Sequence, residues 1–144
     1  MNKKECYVDS CIWLNLFKKE GDPTKGVPYW QLAKEFVELI EDGSGLIFVS
    51  TIVLKELQFK LGERFDEVKQ FFKEAGFIQI IKTTNEDYNL ARELEQQHGF
   101  LSFYDYLHIA IAKRLDIPLI TRDTGLMEFA KDQIDVFKPE DLLS

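Results

Sequence analysis

The sequence is poor in the features that mark membrane, secreted or zinc-bound proteins. No apolar run approaches the roughly 18 to 20 residues needed to cross a bilayer, and the opening MNKKECYVDS passes straight into a strand pattern without an apolar signal region. A cytoplasmic protein without membrane association is the expectation. Two cysteines, Cys6 and Cys11, are too few for a disulfide framework and wrongly spaced for C-x2-C zinc ligation; both are expected to be small buried or half-buried thiols. The eight glycines nowhere form GxGxxG, or GxxxxGK followed by Ser or Thr, so phosphate-cradling loops of those kinds are excluded. Basic residues are outnumbered, 18 Lys and Arg against 25 Asp and Glu, for a formal net charge of −7. That excludes a protein holding nucleic acid by bulk positive charge. It leaves open an acidic site that meets phosphates through metal ions. There is no internal repeat and no low-complexity tract.

What is present is core material. Apolar residues make up 45% of the chain and aromatics 13%, and a length of 144 residues suits one compact domain spanning residues 1–144. Glu5 to Val8 reads as a short strand that turns at Asp9 into a helix carrying Ile12, Trp13, Leu16 and Phe17 at helical spacing. GDPTKGVP, residues 21–28, is an exposed loop. Tyr29 to Glu41 is helical, with Leu32, Phe36, Leu39 and Ile40 on one stripe, and the apolar run LIFVS, residues 46–50, reads as a strand covered on both faces. Helices over 51–61 and 65–74, a strand over 77–81 and a helix over 85–98 continue the alternation. The segment 102–115 is apolar around most of its circumference, which predicts a central helix. A strand over 118–121, a helix over 124–131 and a strand over 134–137 complete the chain. Strands alternating with helices predict an α/β protein, a three-layer α/β/α sandwich with a parallel sheet of about five strands.

In open parallel sheets ligands bind beyond the carboxyl ends of the strands. Four acids are expected there: Asp9 after the first strand, Glu56 in the helix after the second, Asp105 in the first turn of the central helix and Asp123 after the fourth strand. Each also has a local explanation. Asp9 and Asp123 suit helix caps or an Asx turn, Asp105 completes an S-x-x-D capping pattern with Ser102, and Glu56 precedes Lys60 at helical ion-pair spacing. Taken together, the four converge on one sheet edge. Two negative charges about 5 Å apart at an effective dielectric near 20 repel by roughly 3 kcal/mol, so such a cluster must bind protons or cations. Without Cys or His at metal-ligand spacing, carboxylates select Mg²⁺ or Mn²⁺, and such a centre suits phosphodiester hydrolysis.

The segments YVDSCIWLNLF, STIVLKEL, LSFYDYLHIAIA and PLITRDTGL resemble, in order and spacing, the four motif regions of the PIN-domain nucleases. The resemblance covers almost the whole chain. It implies the PIN fold, a Mg²⁺- or Mn²⁺-dependent ribonuclease acting on RNA, and carry-over of the acidic positions to Asp9, Glu56, Asp105 and Asp123, with Thr121 and Ser10 as supporting hydroxyls. Small members of this kind are often VapC-type toxins of toxin–antitoxin pairs, which implies a homodimer and a small antitoxin partner. The chain departs from the pattern at Cys11, where Ser or Asn is common, and at Leu126, where no fifth acid follows.

Other candidates have plainer expectations. His108 lies three residues after Asp105 and would serve as ligand or proton shuttle if it faced the acids, but one histidine in an apolar helix is more often structural. His98 sits at a helix end, where an imidazolium complements the dipole. Arg122 would contact substrate phosphate or pair with its neighbour Asp123, while Lys55, Arg92 and Arg114 are expected to be solvated. The aromatic residues are expected to pack in the core or a dimer interface rather than stack bases. Two rival readings stay open: a catalytically silent PIN module binding RNA or a protein partner, and a phosphotransfer protein with Asp9 as acceptor, for which the second acid two residues on is replaced by Cys11.

Overall fold

The computed structural model describes residues 4–143. In chain order the elements are β1 (Glu5–Val8), α1 (Ser10–Phe17), α2 (Tyr29–Asp42), β2 (Leu46–Ser50), α3 (Thr51–Leu61), α4 (Phe65–Glu74), β3 (Ile78–Ile81), α5 (Asn85–His98), α6 (Phe103–Leu115), β4 (Leu119–Ile120), α7 (Thr124–Ala130) and β5 (Val136–Phe137). Short 3-10 turns occupy Pro23–Lys25, Gly62–Arg64 and Pro139–Leu142. The five strands form one sheet in the order β3-β2-β1-β4-β5, and every pairing is parallel. This is the expected α/β/α architecture.

β1 lies at the centre of the sheet, paired through Tyr7 with both Phe48 and Leu119. The strand order reverses between β1 and β4, so a crevice opens beyond Val8 and Ile120. The backbone amide of Asp9 donates to the carbonyl of Ile120 at 2.9 Å, which carries Asp9 just past the end of the ladder.

Capping residues stop and start the helices where the sequence indicates. Asp9, Ser50, Thr84, Ser102 and Asp123 each accept a backbone N–H from the first turn of the helix they precede. α6 is buried at every position from Tyr106 to Ala112, the consequence of an apolar circumference. α5 packs along α6, and α1 packs against α2 and α3. An aromatic cluster joins α1 to α4, with the Trp13 and Phe72 ring centroids 4.8 Å apart edge to face. Cys6 is buried and Cys11 half-buried, and both are free thiols. No helix of the described residues is long and apolar enough to cross a membrane.

The last two strands are shorter than expected, two residues each rather than four, because ladder pairing is confined to Leu119↔Val136 and Ile120↔Phe137. One expectation on the surface fails. Arg114, read as solvated, forms a two-pronged ion pair with Asp87, Nε to Oδ1 at 2.9 Å and the terminal nitrogen to Oδ2 at 3.0 Å. Asp87 is only 2% exposed; it also accepts the Thr84 amide at 2.9 Å in a capping box. A carboxylate buried at the foot of α5 needs a counter-charge, and α6 supplies it.

Candidate active site

β1 delivers Asp9 to the crevice, 5% exposed. Its Oδ1 accepts the Ser10 amide at 2.7 Å and the Ser10 hydroxyl at 3.3 Å. Its Oδ2 accepts the Thr121 hydroxyl at 2.8 Å from the end of β4. Asp9 thus caps α1 and sits at its positive end, where a negative charge is favoured. Both Asp9 explanations from sequence, cap and site acid, describe one carboxylate. Cys11 Sγ lies 3.5 Å from both Asp9 Oδ2 and Thr121 Oγ1. Burial and the Asp9 charge push the Cys11 thiol well above its ordinary pKa, so it stays a neutral neighbour.

α3 and α6 bring in the next two groups. His108 Nε2 lies 2.8 Å from Glu56 Oε1 and 3.4 Å from Asp9 Oδ1. The expected Glu56–Lys60 pair is not what holds Glu56; its partner is this imidazole, from a residue far along the chain. Behind the ring, His108 Nδ1 is 2.6 Å from the Tyr7 hydroxyl, which is 2.7 Å from Ser50 Oγ. Ser50 Oγ in turn accepts the Val53 amide at 3.2 Å as the cap of α3. Tyr7 and Ser50 are fully buried, and His108 is 1% exposed. Burial raises the Tyr7 pKa well above normal, so the phenol remains neutral and can donate. Burial opposes charge on His108, but the carboxylates of Asp9 and Glu56 outweigh it, and its pKa is raised.

His108 is therefore a member of the site, against the expectation of a structural histidine. The acids expected to stand without Cys or His at metal-ligand spacing thus have a histidine beside them. Tyr7 and Ser50 were not singled out from the sequence. The available indication was a tyrosine in a strand buried on both faces, whose hydroxyl must find a partner.

Asp105 and Asp123 complete the edge without joining the tight group. Asp105 is half-buried in the first turn of α6, where its amide donates to Ser102 Oγ at 3.2 Å. Burial and the charge of Asp123, with a smaller contribution from Asp9, raise its pKa against the lowering effect of Ser102. Asp123 is exposed and caps α7, its Oδ1 accepting the Leu126 amide at 3.1 Å. Thr121 Oγ1 also accepts the Asp123 amide at 3.2 Å, linking the last acid to the first through one hydroxyl. Arg122 pairs with neither Asp123 nor the crevice. Its terminal nitrogens meet both carboxylate oxygens of Glu140 at 2.8 Å, and its guanidinium lies 4.1 Å over the Tyr29 ring.

The donor set fits a divalent cation. Asp9, Glu56 and His108 each offer one ligand atom, all within 4.8 Å of one another. Two carboxylate oxygens and an imidazole nitrogen suit Mn²⁺ as well as Mg²⁺. The carboxylates that raise the His108 pKa favour positive charge in their midst, and a cation there would displace the imidazole's proton.

Residues 6–132 match the family described as PIN domain. The chain belongs to the PIN domain family. No curated protein sequence matches it. Similar solved structures include FitAcB from Neisseria gonorrhoeae, at 21% identity and a TM-score of 0.63 over 95% of this chain and 99% of that one. A toxin–antitoxin complex from Klebsiella pneumoniae aligns at 19% identity and a TM-score of 0.66, over 93% and 97%. VapC20 of Mycobacterium tuberculosis, a sarcin-ricin loop cleaving toxin, aligns at 20% and 0.65, over 86% and 94%. At these identities the likeness is one of fold.

Proposed function

We propose that this PIN-domain chain is a Mg²⁺- or Mn²⁺-dependent endoribonuclease hydrolysing RNA phosphodiester bonds, with residues 1–144 acting as a single domain. The observation that carries the reading is the meeting of Asp9, Glu56 and His108 ligand atoms within 4.8 Å at the carboxyl end of the central strand. Its biological role in this reading is the toxin of a type II toxin–antitoxin pair, a cytoplasmic homodimer restrained by a small antitoxin. Support for the role comes from likeness to VapC20 and to the toxin–antitoxin complex of K. pneumoniae.

Asp9, Glu56, Asp105 and Asp123 would hold the cation, with His108 as an additional donor once its proton is released on metal binding. When bound, it would supply Lewis acidity toward an attacking water and screen the phosphate charge. The chain's own groups do the rest. The Ser10 amide and the Thr121 hydroxyl fix both oxygens of Asp9, so the carboxylate is oriented before substrate arrives. Tyr7 and Ser50 fix the plane of His108 and direct its Nε2 at Glu56.

The test is incubation with RNA and with DNA in Mn²⁺, Mg²⁺ or EDTA, alongside Asp9→Asn and Asp105→Asn. RNA cleavage that disappears with EDTA and in either variant supports the reading. RNA bound but never cut would favour the silent module instead, and cleavage unchanged in both variants would remove these acids from the reaction.

A further inference from the structure

Beside the acidic centre lies a cavity of about 380 Å³ to which the hydrolytic groups assign no role. Ser10 and Glu56 border both places, so cavity and centre are continuous. The rest of the lining includes Lys55, Phe59 and Lys60 of α3 and Tyr104 of α6. Each of these follows from the position of an acid. Lys55 adjoins Glu56, Phe59 and Lys60 follow it by three and four residues on the same helix face, and Tyr104 adjoins Asp105. Elements that aim the acids inward thereby present two aromatic rings and two ammonium groups alongside them.

Phe59 is 84% exposed, the most exposed large apolar side chain among the described residues. Its ring has the Lys60 Nζ 5.9 Å from its centroid. An apolar ring left in water beside a pair of lysines, in a chain of net charge −7, is poorly explained by packing. It matches single-stranded nucleic-acid sites, in which bases stack on aromatic faces while cations follow the phosphates. The volume lies near the lower end of the roughly 300–1,000 Å³ usual for small-ligand sites, which suits one nucleoside and not a duplex. A base inside a duplex has both faces covered by its stacked neighbours, so the base taken here is one that is unpaired and unstacked.

We propose that this cavity is a nucleobase subsite: it receives the unpaired base next to the scissile phosphate, stacked against Phe59 and Tyr104, with Lys55 and Lys60 on the flanking phosphates. This rests on the ribonuclease reading and adds to it the place where the base beside the cut is held. Phe59 and the lysines are positioning residues here, since they touch substrate away from the reacting atoms.

The experiment uses a short single-stranded RNA carrying 2-aminopurine, whose fluorescence falls when the base stacks. Binding is followed in Ca²⁺ with the strand checked to be intact, and cleavage is followed in Mn²⁺. The wild type is expected to quench the probe. Phe59→Ala should abolish the quench, weaken binding roughly tenfold and raise KM by a similar factor with kcat within about twofold, whereas Phe59→Trp should retain both. Replacing Lys55 and Lys60 with Ala should flatten the salt dependence of log affinity by about 1.4, as expected for two phosphate contacts on a single strand. The high exposure of Phe59 keeps the fold intact, which a thermal melt verifies. If the wild type cuts RNA and Phe59→Ala binds and quenches equally, the subsite falls and the ribonuclease reading survives. If the wild type neither binds nor cuts RNA, both fall. If Phe59→Ala changes the oligomeric mass in light scattering while RNA binding is unaltered, the face is an interface between chains, and the subsite is refuted.

Discussion

Tyr7→Phe isolates the least obvious part of the site, because it deletes one oxygen and leaves the ring in place. The hydroxyl bridges His108 Nδ1 at 2.6 Å and Ser50 Oγ at 2.7 Å in a fully buried position. Its removal orphans the His108 nitrogen, while Ser50 keeps its bond from the Val53 amide. One orphaned buried group costs about 1–3 kcal/mol and one partly satisfied group about 1 kcal/mol more. The expected loss is thus about 2–4 kcal/mol, or roughly 6–12 °C in Tm for a chain of this size. Urea unfolding should show a lower midpoint at an unchanged slope. Combining Tyr7→Phe with Ser50→Ala should give a coupling of about 1 kcal/mol, since the two share a hydrogen bond. In the proposed enzyme the same variant frees the imidazole to turn, so Mn²⁺ affinity by calorimetry should fall roughly 10–100-fold. A Tyr7→Phe protein within 0.5 kcal/mol of wild type, or one strictly additive with Ser50→Ala, would refute the relay.

Arg114→Met leaves the Asp87 carboxylate buried without its counter-charge. Because the arginine side chain is 31% exposed, the cost should be about 2 kcal/mol, below the 3–5 kcal/mol of a fully buried pair, and a thermal melt should fall by roughly 6 °C. Glu140 should show the pH signature of its partner. Burial alone would raise its pKa, but hydrogen bonds from Arg122 hold it below the usual range. Its stabilisation is therefore full above the ordinary glutamate pKa, about 4.3, and disappears as pH falls through the lowered folded value. The Tm gap between wild type and Glu140→Gln should be constant near neutrality and close in acid; a gap that widens in acid would contradict the pairing. Gly45→Ala would press a methyl group onto the Lys4 carbonyl and within 3.0 Å of Ile40 Cγ2. That carbonyl accepts the Leu46 amide at 2.8 Å where β2 begins, so a loss of about 1–3 kcal/mol in urea unfolding is expected. Gly76→Ala, with nothing within 4 Å, should change stability little.

These predictions also mark what the sequence made legible. The positions of β1, β2 and the buried α6 followed from apolar runs and helical spacing, since burial on both faces leaves no polar alternation to read. Asp9 was legible because a residue just past a parallel strand has nowhere to point but the crevice, and Thr121 was named only through the family resemblance. Arg114 was not legible, because nothing in the local sequence shows that Asp87, in the first turn of α5, lies under another helix. Tyr7 and Ser50 were hidden in the same way. Each has a sufficient local role, an apolar strand position and a helix N-cap, and the contact between them depends on the register of two strands with His108 above both.

Glu56 and His108 show why the acids alone were an incomplete account of the centre. On sequence, Glu56 had a local partner in Lys60 and His108 was expected to be structural, yet their side chains meet at 2.8 Å. The physical demand had been visible: carboxylates repelling by roughly 3 kcal/mol per close pair require positive charge among them. On sequence that demand was met by bound protons or cations, with no side chain named for it. The fold also provides an internal donor, an imidazole whose charged form is favoured by Asp9 and Glu56 over the cost of burial. Its back side is tied through Tyr7 to the cap of the very helix that carries Glu56. Distance in sequence concealed this arrangement, but it follows from one constraint: a buried acidic centre must be neutralised, either by an internal imidazolium or by a cation that takes the place of the imidazole's proton.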